Sequence, residues 1–182
     1  MCSPALNLLD SRFAVSPGSA VRSAVARTID AVRQMRTTST EVGTSGFTRI
    51  ERLRDNVGYM ELRKFARVDA ACDTVAAAMD YLASCDALVI DLSHNGGGDR
   101  RMAALLTSYL FDTEPVHLGE RYASPRRPMT GAASIPMDSV PARRLLQRDV
   151  YVLVGPETSA LGKEFARNLE RLRGATVIED AA

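Results

Sequence analysis

No apolar run in this chain approaches the roughly 18 residues that a membrane-crossing helix needs, so no membrane span is expected. The N-terminus offers no basic stretch followed by an apolar core, and no export signal is expected. Charge of one sign is missing too. A formal net charge of +1 over 182 residues gives no bulk field for nucleic acid or an anionic membrane, and neither is expected as a partner. Cysteine is scarce: Cys2, Cys72 and Cys85 form no CxxC pair. Cys72 and Cys85 fall in one helical pattern and read as buried small hydrophobes, so no metal or cofactor is expected and a reducing cytoplasm fits. Lysine is limited to Lys64 and Lys163, and histidine to His94 and His117, which leaves few candidates for a general base. The pairs Arg126/Arg127 and Arg143/Arg144 have no interleaved aromatics and read as solvated loop faces, not phosphate clamps.

What is present is an ordinary globular composition, 46% hydrophobic and 25% charged, in a chain long enough for one domain with a real core. Residues 1–17 lack a period and read as a lead-in. Apolar residues at Val21, Val25, Ile29 and Val32 predict a helix over 19–35. Residues 37–45 are rich in Thr, Ser and Gly, hence a loop. Residues 47–53 and 57–62 read as strands joined by a turn at Arg54-Asp55-Asn56. A helix over 69–84 follows, with Ala71, Val75, Ala78, Met79 and Leu82 on one face. Further on come a helix over 100–111, a short strand over 116–122, and a proline-rich loop or flap over 123–138. Residues 150–154 (VYVLV) form a buried strand; Gly155-Pro156 turns, and Thr158 or Ser159 caps a helix to about 173. One more strand starts at 176. Strands alternating with helices predict an α/β sheet with parallel crossovers, organised as a helical lead-in (1–46) and a core domain (47–182).

The stretch 87–100, ALVIDLSHNGGGDR, carries the most chemistry. Its apolar, β-branched start is a strand buried on both faces, yet it ends in Asp91, a carboxylate that packing alone does not call for. Gly96, Gly97 and Gly98 then let backbone N–H groups approach an anion at the head of a helix. A second strand-turn-helix junction spans 154–163. In α/β folds ligands gather where such strands end, so two N–H donors around one oxyanion are the favoured chemistry.

With these junctions the chain resembles the tail-specific (C-terminal processing) serine peptidase family, in the branch related to interphotoreceptor retinoid-binding protein and the tricorn core. NVGYMELRKF (56–65) is similar to the family's N-(I/V)-G-Y-(I/L) strand entry. VIDLSHNGGG (89–98) is similar to its DLR-N-GG segment, and PVHLGERY (115–122) to the strand that follows. VYVLVGPETSALGKEFARNLERLRGATVIED (150–180) resembles the segment that carries the nucleophile. The resemblance implies an α/β fold with a ClpP/crotonase-like ββα-spiral core, cut short at the C-terminus. It also implies an oxyanion hole from Gly97 or Gly98 with the N–H of Leu161, a bracing role for Asp91, and a peptide or small carbonyl substrate.

The nucleophile column falls on position 160, and the residue there is Ala160. A methyl group cannot attack a carbonyl, so acyl transfer is not expected from the chain as written. Ser159 is adjacent, but one helical residue is about 100° of rotation, and it reads as a cap. The base is not evident. His94 lies in the glycine turn and is an accessory candidate if it faces the cleft; His117 reads as a strand histidine with a structural partner. Lys163 stands where the family usually has glutamate; with serine at 160 the Ser-x-x-Lys spacing is similar to that of penicillin-recognising enzymes, and a solvent-facing lysine is the plainer reading. The family's downstream base columns and its peptide-binding insert have no counterpart, and an exposed sheet edge would favour a homo-oligomer. Two functions follow: a serine peptidase that has lost its nucleophile, or a binding module for a peptide or apolar small molecule. A third, crotonase-like acyl chemistry, needs a thioester-binding surface that the sequence does not locate.

Overall fold

The computed structural model describes residues 19–35, 45–110, 145 and 148–179. Helix α1 (Ser19–Met35) precedes a hairpin of β1 (Phe47–Arg52) and β2 (Val57–Leu62). Then come α2 (Val68–Leu82), β3 (Ala87–Asp91), α3 (Arg100–Leu110), β4 (Asp149–Val154), α4 (Ala160–Arg173) and β5 (Thr176–Glu179). The strand expected over 116–122, the loop over 123–138 and the lead-in over 1–17 lie outside the described residues.

The hairpin turn is a single 3-10 turn, Arg54–Asn56, with Asp55 at φ 59° and Asn56 at φ 55°. Asp and Asn tolerate this left-handed backbone better than other side chains, which is why DN serves here without glycine. β1 pairs antiparallel with β2, and β2, β3, β4 and β5 pair parallel in chain order. Right-handed crossovers between strands laid down side by side in one direction bring every connecting helix to one face of the sheet. Accordingly α2, α3 and α4 share one core with Met60, Leu62, Leu88, Ile90, Leu92, Val150, Val152 and Val154. The alternate residues Val57, Tyr59, Ala87, Val89, Tyr151 and Leu153 face the other way and pack with Ala24, Val25 and Ile29 of α1. The strand period of two therefore sorts one apolar run into two layers.

Two departures from expectation are local. The first helix after the hairpin ends at Leu82, so Cys85 lies beyond it in the turn into β3, fully buried against the Gly58 side of β2. Burial pushes the Cys85 thiol up, which keeps it protonated and unreactive. Cys72 is half-buried, packed at the margin of the core instead of inside it.

The amphipathic face of α4 makes a graded test of this core. Leu169 is fully buried while Leu172, three residues on, is 41% exposed. Leu169→Ala is expected to cost about 2–5 kcal/mol, and Leu172→Ala no more than about 0.5 kcal/mol, both read by urea denaturation.

Candidate active site

The first corner forms where β3 ends. Asp91 is buried and its carboxylate accepts from Ser93 N–H (2.9 Å) and from the Tyr59 hydroxyl (2.9 Å), which holds the chain as it leaves the strand. Beyond it, the glycine run lies alongside residues 63–65. Gly96 N–H donates to Arg63 O (2.9 Å), Phe65 N–H to Gly97 O (2.8 Å) and Asp99 N–H to Phe65 O (2.7 Å). That close approach demands glycine: Gly98 has φ 135°, and a Cβ there would sit 2.1 Å from the Phe65 carbonyl oxygen.

The second corner follows β4. Thr158 Oγ1 accepts from Gly155 N–H (2.8 Å) and donates to Leu92 O (2.7 Å), so a side chain of this turn is bound to the backbone of the other. Ser159 is the N-cap of α4, its Oγ accepting from Gly162 N–H at 3.1 Å. Position 160 is the first residue of the helix and is exposed; Leu161 is half-buried against the core, and Lys163 is half-buried one turn on.

Asn95 joins the corners. It is fully buried, and its carboxamide reaches three segments: Nδ2 donates to Leu62 O (2.9 Å), while Oδ1 accepts from Gly97 N–H (2.9 Å) and from Ser159 Oγ (3.1 Å). Its backbone oxygen accepts from Ser159 N–H at 2.8 Å. A Cβ on Gly97, which has φ 91°, would come within 3.4 Å of Ser159 Oγ, so the glycine turn and the helix head are in direct contact. Gly162 is under a similar constraint, with a Cβ there only 2.8 Å from Thr158 Cγ2.

These bonds sort the backbone donors. The Gly97 N–H is taken by Asn95, whereas those of Gly98, Ala160 and Leu161 have no acceptor among the described residues. Free N–H groups at a helix head are expected from its geometry; one on a separate glycine turn is not. Of the accessory candidates, His94 does bridge the two corners, its Nε2 lying 3.8 Å from Glu157 Oε2, and its Nδ1 is buried without a partner among the described residues. His117 lies outside the described residues.

Sequence reasoning passed over Asn95. A signal was there: an Asn directly before Gly-Gly forms an Asx turn, bonding to the N–H two residues on, and Asn95 does so with Gly97. Its contacts to Leu62 and Ser159 are 33 and 64 residues away in the chain, and no local pattern announces them.

Residues 56–180, more than half of the chain, match the sequence profile of Peptidase family S41. Among solved structures, the chain is similar to a candidate S41 protease from Bacteroides fragilis, with a TM-score of 0.58 at 20% identity over 78% of this chain and 40% of that one. It is also similar to a candidate peptidase from Parabacteroides merdae, with a TM-score of 0.55 at 19% identity over 81% of this chain and 46% of that one. These likenesses show a shared fold, and the chain spans less than half the length of either protein.

Two substitutions probe the corners separately. Gly98→Ala forces a side chain into the Phe65 carbonyl at an unfavourable φ; a loss of about 3 kcal/mol or more in urea denaturation is expected from strain and clash together. Ser159→Ala removes only the cap and one bond to Asn95, and a smaller loss of about 1–2 kcal/mol is expected by the same measurement.

Proposed function

The chain belongs to peptidase family S41, and we propose that its two joined corners form a serine-peptidase acyl-transfer site whose nucleophile position is filled by Ala160. Membership supports a peptidase-type function. In this reading the carbonyl oxygen of a bound peptide, or of a related carbonyl compound, accepts from the N–H groups of Gly98 and Leu161. Donors held in place by the fold need no reorganisation as charge develops on that oxygen, which is the main source of rate in acyl transfer. The observation that carries the proposal is the contact between the glycine turn and the head of α4, closed by Ser159 N–H on Asn95 O at 2.8 Å.

As written the site lacks an attacking atom. The Ala160 methyl has no lone pair to form a bond to carbon, and the neighbouring Ser159 hydroxyl is engaged both as donor to Asn95 and as acceptor from Gly162. The chain therefore holds a carbonyl substrate without forming an acyl-enzyme. Ala160 also favours a second reading, a non-catalytic module that binds a peptide or an apolar small molecule at the same place.

Restoring the hydroxyl separates the two. The Ala160→Ser chain is expected to be labelled at position 160 by a serine-reactive fluorophosphonate, detected by intact mass and peptide mapping, while the parent chain is not. Absence of labelling in a folded A160S chain overturns the acyl-transfer reading and leaves the binding module.

A further inference from the structure

We infer that Asn95 is a positioning residue for the oxyanion site: its carboxamide selects Gly98 over Gly97 as a donor and sets the orientation of the Gly98 N–H relative to that of Leu161. The inference rests on the acyl-transfer reading and deepens it.

A carboxamide offers two acceptor lone pairs on Oδ1 and two N–H groups on Nδ2. Here both lone pairs are used, one by Gly97 N–H and one by the Ser159 hydroxyl, and an N–H is spent on Leu62 O at the end of β2. The three partners belong to three different segments: a strand end, the glycine turn and the helix cap. Each bond alone would hold one segment; sharing one planar group makes the three move together. Because the Gly97 N–H points into Asn95, it is withdrawn from any ligand, and the next N–H along the turn is the one left over.

The Ser159 bond has a second effect. Its Oγ donates to Asn95 Oδ1 and accepts from Gly162 N–H, so its hydrogen and a lone pair are both committed. Asn95 thereby holds this hydroxyl as part of the frame, beside a position from which a different side chain faces solvent. Burial makes the arrangement costly to break, since an unpaired carboxamide or N–H in the interior loses its hydrogen bond without gaining one to water.

The test uses the whole chain in two forms. In the A160S chain, Asn95→Ala is expected to slow fluorophosphonate labelling by about 100-fold, the cost of one misplaced oxyanion donor. Asn95→Asp keeps an oxygen in the place of Oδ1, but it replaces the Nδ2 donor to Leu62 O and places a negative charge beside the developing oxyanion. Its labelling rate, taken relative to A160S at the same pH, is expected to rise as the pH falls and the carboxyl becomes protonated, when it again resembles the carboxamide in shape and charge. A role in stability alone predicts a ratio that, once corrected for the folded fraction measured by circular dichroism at each pH, equals one throughout. In the parent chain, residual dipolar couplings report the angle between the Gly98 and Leu161 N–H vectors. Asn95→Ala, or Asn95→Asp at neutral pH should the alanine variant not fold, is expected to change that angle by more than about 20°, beyond the tolerance of a preorganised site, with the vectors of β3 and β4 unchanged. Labelling of both variants within twofold of A160S at all pH values overturns the inference. If A160S itself is not labelled, the peptidase reading fails, and the dipolar couplings decide alone: an altered angle upholds the role of Asn95 as the residue that orients these donors, and an unchanged one removes it.

Discussion

Parallel pairing of β3 with β4 is the constraint from which the site follows. The register sets Asp91 opposite Leu153, and Leu92 N–H continues the ladder onto Leu153 O at 2.9 Å. Both strands thus run out at the same level and in the same direction, and each must turn into its helix on the same face of the sheet. Two turns that begin level on adjacent strands, about 4.8 Å apart, have no choice but to touch. Their backbone polar groups are then buried against one another and must be satisfied there. Thr158 Oγ1 on Leu92 O, Ser159 N–H on Asn95 O and the carboxamide of Asn95 are how this chain does it.

Much of that frame was legible in the residues alone. The β-branched runs at 87–92 and 150–154, the glycine triplet and the capped helix after Gly155-Pro156 each carry a local signature, and local signatures locate elements well. The glycine turn was legible for the same reason: three glycines between a strand and a helix mark a sharp turn with close backbone approach, which Gly98 makes to the Phe65 carbonyl. What the residues did not reveal is which partners the elements choose. Nothing near Asn95 in the chain marks Leu62 and Ser159 as its partners, and the split of one apolar strand between two cores becomes visible only once the helices are in place. The choice between Gly97 and Gly98 as free donor is of this kind too, decided by a hydrogen bond from Gly97 and not by either residue's type. Asp91 illustrates a milder shift: it braces the exit from β3 through Ser93 and Tyr59, while the glycines are held by Asn95.

His94 and Glu157 show why proximity alone does not make a catalytic pair. They come from the two different corners and approach to 3.8 Å, but at the outer surface, where Glu157 has 70% of its side chain exposed. A contact that open to water and salt contributes little to stability, and the buried Nδ1 of His94 has no partner among the described residues to orient the ring. The groups that face inward at the same corners, Asn95, Thr158 and Ser159, are neutral and bound to named backbone atoms. Order at the corners rests on hydrogen bonds among buried groups, with the Asp91 carboxylate and the Asn95 carboxamide at the first corner.

That division bears on how closely each residue of the proposed site is tied to the fold. Gly98 is required by the Phe65 carbonyl, Gly162 by Thr158, Asn95 by three segments and Ser159 by the helix it caps. Replacing any of them damages the fold. Position 160 has no such employment: it is exposed and is the first residue of its helix. Exchange of serine and alanine at this exposed position is therefore close to neutral for stability. The frame of the two corners is tied to folding and position 160 is not, so on the acyl-transfer reading the frame would persist whichever residue stands at 160.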